Sequence, residues 1–93
     1  MTDQEIRDAL ERLPGWSFQD GALRARYAFA SNIQAGSFLK KLKAAARARR
    51  HQVRIVGRGS AVAVAVPRAD RAGFSEADFD LARDAEALRL GPP

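Results

Sequence analysis

Three Ser/Thr residues, each followed three positions later by an acid or an amide, define where the helices of this chain begin. The pairs are Thr2 and Glu5, Ser31 and Gln34, and Ser75 and Asp78. In such a capping box the hydroxyl accepts a hydrogen bond from a first-turn N–H, and the second side chain reaches back to the cap N–H. Apolar residues at helical spacing follow each pair, which predicts three amphipathic helices with strands between them.

Apolar spacing and helix breakers define the extent of each helix. The first ends at Pro14-Gly15, and its apolar positions are Ile6, Ala9, Leu10 and Leu13. The second runs to about Arg50, with an apolar stripe formed by Ala35, Phe38, Leu39, Leu42, Ala45 and Ala46. The third opens at Ser75 and runs to about Leu90, with Phe74 and Phe79 placed as a hydrophobic staple.

Two hairpins fill the gaps between the helices. Asp20-Gly21 joins a short strand containing Trp16 and Phe18 to a return strand whose apolar face is Leu23, Ala25, Tyr27 and Phe29. Both turn residues tolerate positive φ, as a two-residue hairpin turn requires. The second hairpin pairs Val53 to Val56 with Ala61 to Val66 around a turn predicted at Gly57 to Ser60.

The last predicted strand has two very different faces. Val62, Val64 and Val66 share one face, and Ala61, Ala63 and Ala65 share the other. An outer face made only of alanine is unusual for a solvated strand, and it points to close packing or self-association.

The order of elements, α-β-β-α-β-β-α, predicts an α+β fold. Three amphipathic helices would cover one face of a four-stranded antiparallel sheet. The 93 residues contain no repeat, linker or low-complexity segment, so residues 1–93 are predicted to form one domain.

Composition excludes several classes of site. The chain has no cysteine and one histidine, so no disulfide and no metal site are predicted. No phosphate loop is present, and no cofactor is predicted. The N-terminus lacks the pattern of a signal peptide, and no apolar run approaches the roughly 18 residues of a membrane span. We therefore expect a cytoplasmic protein without a membrane partner.

The charge is strongly basic, with 16 Lys and Arg against 11 Asp and Glu and a net charge of +5. Lys40, Lys43, Arg47 and Arg50 form a stripe along one face of the second helix, and Arg54 lies close to its end. One interpretation is a docking surface for an acidic partner, since Arg binds carboxylates in a bidentate manner. The others are a solvated face, a subunit interface, or a compositional bias toward Arg and Ala. Nucleic acid is not expected, because no recognisable binding motif is present.

Three segments in this order resemble the pterin-4a-carbinolamine dehydratases over nearly the whole chain. They are Leu13-Pro14-Gly15-Trp16, the run Phe29 with Ala35 and Phe38, and Gly73-Phe74-Ser75-Glu76 with Asp78 and Leu81-Ala82. The resemblance implies a small α+β protein that assembles as a homodimer or homotetramer. It also implies an ancestral reaction that removes water from a pterin carbinolamine, for which a proton donor and a base are needed.

The residues that the resemblance assigns to that reaction are largely replaced. His51 falls at the first histidine of the family's His-His-Pro run, Gln52 at the second, and Ala69 at a third histidine after the last strand. Arg47 stands where the family has a supporting Glu, and Asp78 is retained. Gln and Ala exchange no protons near neutral pH, so no catalytic residue is expected and His51 and Asp78 are predicted to be vestigial. From the residues alone, His51 is a relic or a partner of the helix C-terminus.

The resemblance extends to degenerate bacterial members that serve as assembly factors for RuBisCO in alpha-carboxysome systems. It implies a non-catalytic chaperone that binds acidic surfaces of RuBisCO subunits, in the cytoplasm or associated with carboxysomes. The alternative is a residual dehydratase that uses His51 and Asp78, a related enzyme with another small substrate, or a pterin-binding protein.

Overall fold

The computed structural model describes residues 2–68 and 73–90. Its elements are α1 (Asp3–Glu11), β1 (Ser17–Gln19), β2 (Ala22–Ala28), α2 (Asn32–Ala48), β3 (Arg54–Arg58), β4 (Ala61–Pro67) and α3 (Glu76–Leu90). The predicted α+β order of three helices and four strands is therefore confirmed.

The sheet is fully antiparallel, with the strand order β1-β2-β4-β3. Its two central strands are β2 and β4, in which Leu23 pairs with Val66 and Tyr27 with Val62. Because side chains alternate along a strand, this register puts the large apolar residues of both strands on one face. That face packs against the helices.

Both hairpin turns contain residues with positive φ. Asp20 and Gly21 have φ values of 52° and 75°, and the flanking Gln19 and Ala22 pair. This is the predicted two-residue turn. The second turn is shorter than predicted, since Arg58 pairs with Ala61 and only residues 59 and 60 lie between them. Gly59 supplies the positive φ, so residue 57 stays within β3.

The first two capping predictions are confirmed, with one variation at Ser31. Thr2 and Glu5 form the complete reciprocal box at the start of α1. The Ser31 hydroxyl accepts from the Gln34 N–H, but Gln34 Oε1 accepts from the Ala30 N–H one residue before the cap.

The core lies between the sheet and the helices. Leu23, Leu42, Phe79 and Leu81 are all 0% exposed and come from β2, α2 and α3. Each buried side chain of this size contributes about 1.5–3 kcal/mol. Phe74 and Phe79 lie with ring centroids 6.4 Å apart, as expected for the predicted staple.

The end of α2 positions the only histidine of the chain. The helix ends at Ala48, two residues earlier than predicted. The His51 N–H then donates to the Ala46 carbonyl and the Arg50 N–H to the Arg47 carbonyl, which is the bonding pattern of a Schellman motif. Arg50 has a φ of 54°, a conformation that normally favours glycine. This turn directs the His51 side chain into the protein.

Candidate functional site

A buried His–Asp contact joins the ends of two helices. His51 Nε2 lies 2.5 Å from Oδ1 of Asp78, and the two side chains are 3% and 0% exposed. His51 follows α2 and Asp78 lies in the first turn of α3. No sequence pattern predicted that these two side chains touch, so their direct contact is a finding of the structure.

The position of Asp78 suits a buried carboxylate. Its Oδ2 accepts a hydrogen bond of 2.9 Å from the Ser75 N–H. The partial positive charge at the N-terminus of α3 also favours a negative side chain there. Asp78 was predicted to cap this helix, and its Oδ2 does so while its other oxygen contacts His51.

Both ring nitrogens of His51 have partners within the chain. Nδ1 lies 2.7 Å from the carbonyl oxygen of Gln52, and Nε2 contacts Asp78. Carbonyl and carboxylate oxygens are both acceptors, so each contact is satisfied when the facing nitrogen carries a proton. His51 therefore presents no uncommitted nitrogen to a bound molecule in this arrangement.

A shallow cavity of about 410 Å³ lies beside His51. Its lining residues come from the end of α2, the following turn and the two adjacent strands: Lys43, Ala46, Arg47, His51, Gln52, Val53, Arg54 and Pro67. Among the described residues this lining contains cations but no carboxylate. Arg47, one of the predicted site residues, is one of these cations.

The predicted site residues are only partly brought together. His51, Gln52 and Arg47 line one cavity, and Asp78 lies behind His51. Ala69 lies outside the described residues, so its position relative to the cavity is not described.

The basic stripe on α2 is exposed along its length. Lys40, Lys43, Arg47 and Arg50 all lie at the surface and form no ion pair with any residue in the described ranges. Arg49, by contrast, is bound in a bidentate manner by Asp84 on α3, which raises the pKa of the guanidinium. Arg54 belongs to β3, and its backbone pairs with Ala65 of the sheet. Of the predicted stripe, Lys40, Lys43 and Arg47 therefore lie on α2, whereas Arg50 lies in the turn after the helix because α2 ends at Ala48. Arg54 lies on the sheet.

A second buried polar network was missed by sequence reasoning. Tyr27 Oη accepts from Trp16 Nε1 at 2.6 Å and donates to Glu86 Oε1 at 2.7 Å. Burial raises the pKa of Tyr27 above its ordinary value, and the hydrogen bond to Glu86 raises it further. No local motif signals this contact, because the three residues come from three separate parts of the chain. The network ties α3 to β2 away from the cavity, which indicates a structural role.

The chain matches one protein family along nearly its whole length. A model of the family described as Pterin 4 alpha carbinolamine dehydratase matches residues 1–88. A protein of Picosynechococcus, provisionally named pterin-4-alpha-carbinolamine dehydratase, is 35% identical over 82 residues, which are 88% of this chain and 89% of that protein. A protein of Acidobacterium capsulatum with the same provisional name is 32% identical over 88 residues, covering 95% of this chain and 96% of the relative.

The fold has a close counterpart among solved structures. A crystal structure described as a transcriptional coactivator/pterin dehydratase from Brucella melitensis superposes with a TM-score of 0.87. It covers 96% of this chain and 97% of the other at 24% identity, so the likeness concerns the fold alone.

The fold, the buried His–Asp contact and the matched residues define a pterin dehydratase-type α+β protein. The chain belongs to the pterin-4a-carbinolamine dehydratase family. None of the described helices is both long enough and apolar enough to cross a bilayer. Within residues 2–68 and 73–90, no three His, Cys, Asp or Glu side chains are grouped so that they would hold a metal ion.

Proposed function

We propose that this member of the family acts by binding an acidic partner and does not dehydrate a pterin. The observation that carries the proposal is the state of His51, whose two ring nitrogens both have partners and whose side chain is 3% exposed. A general acid or base must reach the proton that it transfers, directly or through one water. In this arrangement both ring nitrogens of His51 are already engaged by Gln52 and Asp78.

The neighbouring residues do not replace it. Gln52 exchanges no proton near neutral pH, and a guanidinium such as that of Arg47 has donors but no acceptor. Each general acid or base contributes about 10²–10⁴-fold to a rate, so the absence of two leaves little turnover. In this proposal the chain therefore keeps the family fold without the family reaction.

The basic stripe on α2 supplies the binding surface in this proposal. Its four side chains are exposed and without ion pairs among the described residues, so their charge is available to a partner. Arg47 and Arg50 offer bidentate contacts to carboxylates, and steering by the net charge of +5 favours association with acidic proteins.

The resemblance to degenerate family members suggests which acidic protein the partner is. We propose that the protein is an assembly factor, or chaperone, for RuBisCO in alpha-carboxysome systems, working as a homodimer or homotetramer. It would engage acidic surfaces of RuBisCO subunits and release them after assembly. This finer assignment rests on the resemblance and on the exposed basic stripe.

Co-expression with a form I RuBisCO tests this assignment. The yield of assembled, active RuBisCO should rise with the wild-type chain and fall back with Lys43→Glu/Arg47→Glu. Arg7→Glu/Arg12→Glu on α1 is the matched control, because it changes the net charge equally and should retain most of the effect. Equal yields with and without the wild-type chain would contradict the RuBisCO assignment.

A pterin-binding protein or residual dehydratase is the second candidate. It is favoured by the retained His51–Asp78 contact beside a cavity of about 410 Å³. Titration calorimetry with a reduced pterin would support this candidate if binding were saturable and weakened by Gln52→Trp, which would fill the cavity. If millimolar pterin produced no heat of binding, this second candidate function would be excluded.

A further inference from the structure

The face of the sheet opposite the helices forms a basic trough. The register aligns Arg24 of β2, Ala65 of β4 and Arg54 of β3 in one transverse row. The next rows place Arg26 beside Ala63 and Val56, and Ala28 beside Ala61 and Arg58. Arginines on β2 and β3 therefore flank a central line of alanines on β4. Two strand spacings separate the flanking strands, so their backbones lie about 10 Å apart.

The charge on this face has one sign. The four arginines are exposed, and none of them forms an ion pair with a residue that the structure describes. None of the four strands contains an acid, and Asp20 at the first turn is the nearest carboxylate among the lining residues. Arg24 is held by a hydrogen bond from its Nε to the Gln19 carbonyl, which restrains it against the sheet.

The floor of the trough is small and apolar. Two cavities of about 710 and 410 Å³ lie along this face and share Arg26, Val56 and Ala63. Val56 is 54% exposed and adds an apolar side chain to this floor. Alanine methyl groups let a partner backbone approach closely, between the arginines of the two flanking strands.

We propose that this trough binds an acidic peptide segment of a partner protein. The segment would set small apolar side chains on Ala63 and Val56, and its carboxylates would contact the arginines on either side. An α-helix has a diameter of about 10–12 Å, which matches the separation of the flanking strands. The proposal goes beyond the function proposed above, because this face lies across the sheet from the α2 stripe.

Two other occupants fit the surface less well. Single-stranded nucleic acid is bound by aromatic platforms, and the open face carries none, since Phe18 pairs with Leu23 and shares its inward face. A symmetric second copy would set these arginines against their own counterparts, and like charges repel.

Fluorescence anisotropy with a defined probe tests the proposal. The probe is a fluorescein-labelled peptide of about 15 residues, with an alanine stripe flanked by glutamates at helical spacing. Its control replaces every glutamate with glutamine, and an unlabelled DNA oligonucleotide of equal charge is the competitor. The protein variants are Arg26→Glu/Arg58→Glu for the trough, Lys43→Glu/Arg47→Glu for α2 and Arg7→Glu/Arg12→Glu for α1. Circular dichroism checks that each variant folds.

The trough variant should weaken binding of the glutamate peptide by about tenfold or more, because charge-assisted contacts are lost and become repulsive. The α1 and α2 variants should change the peptide affinity by less than about threefold, because salt screens charges that lie far from the trough. Amide shifts in a heteronuclear NMR titration should be largest at residues 24–26, 54–58 and 61–65. These results do not depend on the co-expression assay with RuBisCO, because that assay reports on the α2 surface. A negative co-expression result would therefore leave the peptide-binding results unchanged.

Four results would overturn the proposal. The first is that the peptide does not bind, and the second is that all three double variants weaken binding equally. The third is that DNA displaces the peptide at less than an equimolar concentration. The fourth is that the wild type sediments as an oligomer whereas the trough variant sediments as a smaller species. The last result would show that another copy covers the face.

Discussion

His51 Nε2 and Asp78 Oδ1 lie 2.5 Å apart, and this one contact links the end of α2 to the first turn of α3. The Ser75 N–H holds the other oxygen of Asp78, and the Gln52 carbonyl faces the other nitrogen of His51. The pair is thus the centre of a buried polar cluster that orients two helix ends. In the function proposed above, its role is structural.

A double-mutant cycle measures the strength of this contact. Asp78→Asn should lower the free energy of unfolding by about 1.5–3 kcal/mol, because a charged hydrogen bond is lost while the shape is kept. His51→Gln should cost a similar amount. The double variant should cost less than the sum, with a coupling of about 1–3 kcal/mol in urea unfolding. Strict additivity would show that the two side chains do not interact in solution.

Tyr27→Phe tests the Trp16–Tyr27–Glu86 network. Removing the hydroxyl leaves buried hydrogen-bonding groups without their best partner, so the free energy of unfolding at neutral pH should fall by about 1–2 kcal/mol. Trp16 retains a contact of 3.2 Å to Glu86, which limits the loss. Urea denaturation followed by tryptophan fluorescence measures the change, and an unchanged midpoint would contradict the network.

The same tyrosine gives a dependence of stability on alkaline pH. The pKa of Tyr27 is raised above its ordinary value of 10.0 in the folded chain. Above about pH 10 the unfolded chain releases the phenol proton while the folded chain retains it, so the unfolded state gains stability. The contribution is complete below that pH and declines above it. Tyr27 is the only tyrosine, so its ionisation is followed directly by absorbance. The wild type should lose stability more steeply than Tyr27→Phe between about pH 10 and 11.

Arg50→Gly tests the strained turn that directs His51 inward. Glycine adopts a φ of 54° without the cost that a Cβ imposes, so the variant should gain about 0.5–1 kcal/mol in unfolding free energy. Arg47→Gly, within α2, is the control and should lose about 1 kcal/mol, because glycine disfavours a helix interior. If Arg50→Gly destabilised the chain, the left-handed conformation at this position would be wrong.

The fold was largely predictable because its signals are local. The Thr2–Glu5 box, the Asp20-Gly21 turn and the alternation around Val64 each lie within a few residues of the structure that they specify. The misplaced turn near Gly57 has the same origin, since either glycine of the pair could supply a positive φ and only the pairing of Arg58 decides between them.

The site was less predictable because its contacts are distant in sequence. His51 and Asp78 are 27 residues apart, and no local pattern indicates that they touch. Arg26 and Arg58 share the trough only because β4 lies between β2 and β3, and strand alternation does not specify that order. Resemblance placed His51 and Asp78 in one ancestral site, but only the three-dimensional structure shows that both ring nitrogens of His51 have partners.

The central claim is that the chain has kept the family fold and lost the family reaction. The direct measurement is the rate at which purified protein dehydrates a pterin 4a-carbinolamine, compared with an active family dehydratase and with buffer. We predict a rate indistinguishable from the uncatalysed reaction and unchanged by His51→Gln. Turnover at the rate of the active dehydratase, abolished by His51→Gln in a folded variant, would contradict the account.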